Sequence, residues 1–161
     1  MRLTLHTDYA LRVLMYAGVK TDALSTIPEI VERFDISKGH VVKVVHRLGQ
    51  LGYIDTKRGK RGGIRLGRRP EQINVGAVVR DMERELGVLG CLQGSGGYCR
   101  IEGCCVLRRA LRDATNAFLA TLDRYTLADL MRPRRTLTVL LEINATGPAR
   151  RGRPLRSAAA H

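Results

Sequence analysis

The stretch from Thr26 to Leu66 leaves few folds open to this chain. Thr26 stands three residues ahead of Glu29 with Pro28 between them, a capping box that opens a short helix through about Arg33. Asp35, Ile36 and Ser37 make a tight connection, and Ser37 is an N-cap residue for a second helix. There Val41, Val44, Val45, Leu48 and Leu51 recur at helical spacing until Gly52 supplies the stop. A short strand at 53–56, the basic glycine-rich turn "KRGKRGG" and a second strand at 64–66 follow. Two helices about a tight turn and then a basic hairpin predict a mainly α chain built on a winged helix-turn-helix. In that arrangement the second helix enters a major groove and the wing lies over the backbone or minor groove.

Charge agrees with that reading. The formal net charge is +13 and the isoelectric point about 10.5, which speaks about partners more than about fold. Lys57, Arg58, Lys60, Arg61, Arg65, Arg68 and Arg69 stand against the single acid Asp55. On the second helix, Lys38, His40, Lys43 and Arg47 share the face opposite the apolar stripe, suited to phosphates and base edges. We assign base readout to Lys38, His40 and Lys43, and phosphate contacts to Arg12, Arg47, Lys57, Arg58, Lys60 and Arg61. The bland reading of such runs is a solvated surface. An aromatic content of 4% argues against stacking platforms for single strands, so double-stranded DNA is the expected partner.

The 161 residues divide into four stretches. Residues 1–83 are the expected DNA-binding domain, ending in a helix capped by Asn74 that carries Val75, Val78, Val79 and Met82. Residues 84–105 form a glycine-rich segment, and a segment of that length without periodicity usually has a task. Within 106–143, Leu107, Leu111, Ala114, Phe118, Thr121 and Tyr125 alternate four- and three-residue steps, the seam of a helix that pairs with its twin. The alternative is that the seam packs on its own domain. Thr126 with Asp129 caps a further short helix at 127–131, and another runs from about Arg135 to Glu142. Residues 144–161 read as a disordered basic tail. No run of eighteen apolar residues and no signal-type segment is present, so a cytoplasmic protein without a membrane partner is expected.

All four cysteines fall between positions 91 and 105. In a reducing compartment such clusters are metal ligands or redox groups rather than structural disulfides. Cys91, Cys99 and Cys105 are spaced by seven and then five residues, with Cys104 beside the last, and this is not the pair-and-pair spacing of structural zinc. An iron–sulfur cluster is larger than one ion, and its thiolates spread over a loop that wraps it. The spacing favours a cluster and leaves zinc and redox thiols open. No phosphate loop, His-Glu-x-x-His or paired acids mark an enzyme.

"RLTLHTDYALRVLMY", "ISKGHVVKVVHRLGQLGYIDTKRGKRGGIRLG", three cysteines ahead of a long helix, and "LDRYTLADL" together resemble the NsrR family, nitric-oxide-sensing iron–sulfur repressors. These belong to a wider bacterial group of winged-helix cluster regulators that includes IscR. The likeness covers about residues 1–143. It implies a homodimer on a palindromic operator that derepresses nitrosative-stress genes when its cluster meets nitric oxide. It further implies that Cys91, Cys99 and Cys105 hold the cluster, 4Fe-4S in preference to 2Fe-2S, with Asp8 of the partner subunit as fourth ligand. Taken alone, Asp8 reads as a charge complementing a helix N-terminus. The His that IscR-type relatives carry after the third cysteine is absent between Val106 and Arg112. Cys104 departs from the family's pattern and leaves the third ligand open between itself and Cys105. The alternatives that remain are a 2Fe-2S regulator reporting iron–sulfur or redox status and a zinc-stabilised DNA-binding module.

Overall fold

The computed structural model describes residues 3–59, 62–83, 86 and 99–143. Lys60, Arg61, Cys91, most of the 84–105 segment and the 144–161 tail lie outside the described residues. The elements are α1 (Leu5–Val19), α2 (Ile27–Phe34), α3 (Lys38–Gln50), β1 (Ile54–Lys57), β2 (Gly63–Leu66), α4 (Val75–Met82), α5 (Val106–Leu122), α6 (Leu127–Leu130) and α7 (Arg134–Leu140).

Both expected capping boxes are formed. Thr26 Oγ1 accepts from the Glu29 N–H while Glu29 accepts from the Thr26 N–H, and Thr126 and Asp129 repeat the exchange at the start of α6. The turn between α2 and α3 needs a left-handed residue, and Asp35 takes it at φ 50°, a conformation that its short polar side chain tolerates. Ser37 occupies the N-cap position of α3 without a side-chain cap bond. At the other end Gly52, at φ 70°, completes a Schellman closure: Tyr53 N–H donates to Leu48 O at 3.0 Å and Gly52 N–H to Gly49 O at 3.1 Å.

β1 and β2 pair antiparallel with Ile54 opposite Leu66 and Lys57 opposite Gly63. β1 starts one residue later than its expected place, because Tyr53 is buried and finishes the α3 closure. Ser25 bridges to Ile64 through two backbone bonds of 2.9 and 2.7 Å, tying the wing to the loop before α2.

The core gathers around α1. Ala10, Val13, Leu14, Tyr16 and Val19 pack with Ile30 of α2, Val41, Val44, Val45 and Leu48 of α3, Ile54 and Ile64 of the wing, and Val78 of α4. Each Val, Leu or Ile side chain among them that is fully removed from water contributes about 1.5–3 kcal/mol. The chain beyond α5 returns to this same core: Leu127, Leu141 and Ile143 are buried in it. Arg33 pairs with Glu142, and Arg134 donates to Thr21 Oγ1 at 2.8 Å.

α5 is held mainly by its C-terminal end. Asn74 Nδ2 donates to Asp123 O at 2.7 Å, Val75 N–H to Tyr125 O at 2.9 Å, and Arg80 to Asp123 at 2.8 Å. The Asp123 carboxylate lies flush against Gly76, where a β-carbon would meet it. Leu119 is the buried residue of α5, while Leu107 is 60% exposed and Val106 72%.

Candidate nucleic-acid interface and thiol site

α3 divides cleanly. Val41, Val44, Val45 and Leu48 face the core, and Lys38, His40, Lys43, His46 and Arg47 are exposed. Lys57 and Arg58 are exposed at the wing, so the described cations expected to meet DNA lie on one helix, the hairpin beside it, and α1.

Three of these side chains have further engagements. The His40 ring stands 5.9 Å from that of Tyr9, tilted by 50°. Arg12 is gripped by Asp8, Nε to Oδ1 at 3.0 Å and Nη2 to Oδ2 at 2.8 Å, and its guanidinium lies 5.8 Å from the Phe34 ring centroid. Arg47 Nη2 donates to the Asp81 carbonyl at 3.3 Å.

The sequence reading passed over Val42, which is 44% exposed on α3 among the polar residues and offers an apolar contact of the kind a thymine methyl takes. Its signal was its place off the Val41–Val44–Val45–Leu48 stripe. Tyr9 was also missed, since nothing local announces a contact to His40, 31 positions on.

Behind α3, Tyr53 Oη donates to Asp81 Oδ2 at 2.6 Å, and Arg68 stacks 4.8 Å over the Tyr53 ring. Burial first, then the hydrogen bond to Asp81, push the Tyr53 phenol up to about 12. Glu83, one residue past α4, accepts from Thr4 N–H at 2.7 Å and Thr7 Oγ1 at 2.6 Å.

Cys99 and Cys105 are half-buried free thiols and Cys104 is an exposed one. Cys105 is the N-cap of α5, its sulfur accepting from the Arg108 N–H at 3.3 Å. Helix-end N–H groups directed at sulfur suit a ligand that carries negative charge. Cys104 ends a short 3-10 turn, Glu102–Cys104, and donates to Ile101 O at 3.5 Å. Among the described residues no three of His, Cys, Asp and Glu converge on a common point, so Asp8, Cys99 and Cys105 are not assembled within one chain. As donors, soft thiols beside a helix end fit iron.

A family model described as "Iron-dependent Transcriptional regulator", Rrf2, matches residues 3–133. The chain belongs to the Rrf2 family. Among curated Rrf2 relatives, the HTH-type transcriptional regulator NsrR of Bacillus subtilis is 46% identical over 144 residues, covering 89% of this chain and 99% of that protein. NsrR of Geobacillus kaustophilus is 48% identical, covering 88% and 97%. Of solved Rrf2-like structures, IscR of T. potens superposes with a TM-score of 0.65 at 22% identity, covering 83% of this chain and 88% of that one. CymR, the global cysteine regulator of B. subtilis, gives the same TM-score and identity over 81% and 95%. These last two establish the winged-helix fold alone. The relatives are transcriptional regulators, in keeping with the absence of enzyme motifs. No helix among the described residues is long and apolar enough to cross a membrane.

Proposed function

We propose that this Rrf2 regulator is a homodimeric DNA-binding repressor that carries an iron–sulfur cluster, occupies a palindromic operator, and leaves it on reaction with nitric oxide. One observation carries the reading. The likeness to the NsrR relatives runs over 144 of 161 residues and nearly their whole length, so it takes in the cysteine segment and not only the winged domain.

Cys91, Cys99 and Cys105 would hold the cluster, with Asp8 of the partner subunit opposite them; Cys104 is the neighbouring alternative to Cys105. The group supplies iron bound by soft sulfur and by one hard, weaker oxygen donor, the position open to nitric oxide. The chain's own part is mechanical and electrostatic. Asp8 sits on α1, and α1 packs through Ala10, Val13 and Leu14 into the core that supports α3. A pull or release at Asp8 is therefore felt at the reading helix. Asp8 also holds Arg12, so engagement of that carboxylate elsewhere frees a cation for phosphate. Lys38, His40 and Lys43 read base edges, with Val42 beside them, while Arg47, Lys57, Arg58, Lys60 and Arg61 hold the backbone.

The α5 seam supports the dimer. Leu107 is 60% exposed in the single chain, and apolar residues repeated at coiled-coil spacing are the face a twin helix covers. The expected seam stops short of Tyr125, because α5 ends at Leu122 and Tyr125 lies in the turn before α6. Two reading helices then stand about 34–36 Å apart, one turn of DNA, where a shift of a few ångströms costs affinity.

Anaerobically purified protein tests the reading through its iron and sulfide content, its visible spectrum and its binding to palindromic and scrambled duplexes. The expected result is a coloured dimer with iron that prefers the palindrome. Colourless protein holding stoichiometric zinc would replace the cluster by a structural ion, and a 2Fe-2S spectrum indifferent to nitric oxide would make the protein a reporter of iron–sulfur status.

A further inference from the structure

Asp81, Met82 and Glu83 close α4 at the point where the segment bearing Cys91 and Cys99 begins, and they are bonded in two directions. One oxygen of Glu83 accepts from the Thr4 N–H at 2.7 Å, Thr4 Oγ1 at 3.1 Å and Thr7 Oγ1 at 2.6 Å. Thr4 is the N-cap of α1, Thr7 is fully buried, and Asp8 follows it directly. The start of a helix presents unsatisfied N–H groups and the positive end of its dipole, so a carboxylate is a fitting anchor there.

In the other direction the Asp81 carboxylate accepts from Tyr53 Oη at 2.6 Å, and its carbonyl accepts from Arg47 at 3.3 Å. Those donors belong to the last turn of α3 and the closure that leads into the wing. Met82, between the two acids, is 5% exposed and sits in the core. The root of the cysteine segment is thus fastened both to the first turn of the helix that carries Asp8 and to the reading helix.

We propose that Asp81–Glu83 is the coupling joint of the regulator, and that Glu83 is a positioning residue through which the state of the cysteine segment sets α1 and α3. This rests on the cluster-dependent reading above. A residue that only capped α1 would contribute stability alike with and without the cluster. A joint, by contrast, changes the difference between those states.

The test compares operator affinity of the full-length protein with and without its cluster, by anisotropy, alongside thermal melting and the visible spectrum. Coupling of ordinary size puts the wild-type ratio of apo to holo Kd at roughly 5–150-fold. With Glu83→Ala the ratio is expected to fall at least about fivefold, or to unity where it began near the lower bound, while the loaded variant keeps its thiolate-to-iron absorption. Thr7→Val, which leaves both Thr4 bonds to Glu83 in place and nearly preserves side-chain volume, is expected to lower the ratio in part and to add nothing to Glu83→Ala in the double variant. It carries the test should Glu83→Ala fail to fold. Melting temperatures that drop while the ratio stays at its wild-type value would overturn the joint and leave the functional reading standing. A wild-type ratio of one would overturn the reading itself.

Discussion

Asp8 and Arg12 are joined by two bonds of 3.0 and 2.8 Å one turn apart on α1, with side chains 40–41% exposed. A half-exposed pair of this kind contributes only about 0–1 kcal/mol to stability, so the two residues are free to serve another purpose. Asp8→Ala is expected to leave the melting temperature nearly unchanged and to speed loss of the visible chromophore under air. A large fall in melting temperature with unchanged chromophore decay would make Asp8 a structural residue.

The exposed stripe of α3 and the wing are expected to make two kinds of contact. Lys43→Ala is expected to weaken operator binding by about 1–3 kcal/mol and to blur sequence preference, whereas Lys57→Ala weakens all duplexes alike and lowers the salt slope by about one. Competition titrations with operator and random DNA over a range of salt distinguish them. Equal losses on both duplexes for the Lys43 change would remove it from the readers.

Leu48 and Leu107 lie at opposite extremes of burial, at 0% and 60% exposed. Leu48→Ala is expected to cost about 2–5 kcal/mol in unfolding free energy through the cavity it leaves. Leu107→Glu is expected to spare the monomer fold and shift sedimentation toward monomer. A Leu107→Glu protein that remains fully dimeric at micromolar concentration would show that the seam does not hold the twin.

Tyr53 couples stability to alkaline pH. Its phenol titrates at about 12 in the folded chain against 10 when free, because burial and the Asp81 bond favour the protonated form. Raised folded-state affinity for the proton means this stabilisation is complete below pH 10 and drains away as pH climbs toward 12. Unfolding measured across that window is expected to steepen for the native protein and to flatten in Tyr53→Phe. Identical pH profiles for the two would contradict the assignment.

The parts of the fold written in local chemistry were legible from residues alone. The two capping boxes, the Gly52 stop and the α3 stripe each depend on neighbours a few positions away, and each is formed where expected. What could not be read depends on residues far apart in the chain. Nothing near Glu83 signals that its partners are Thr4 and Thr7, and nothing near Leu141 or Ile143 shows that they return to the core begun by α1. Val42 was hidden for a different reason: an apolar residue on a helix reads as core until the surface it faces is known. Asp8 could be singled out only by resemblance, since a carboxylate in a first turn is commonplace.

Anaerobic operator binding before and after stoichiometric nitric oxide, with Cys99→Ala carried through the same titration, tests the central claim most directly. Tight binding by the loaded dimer, release on nitric oxide, and weak binding by Cys99→Ala that nitric oxide does not change are the expected results. Iron-free protein that grips the operator at full strength and lets go with nitric oxide all the same would contradict the account.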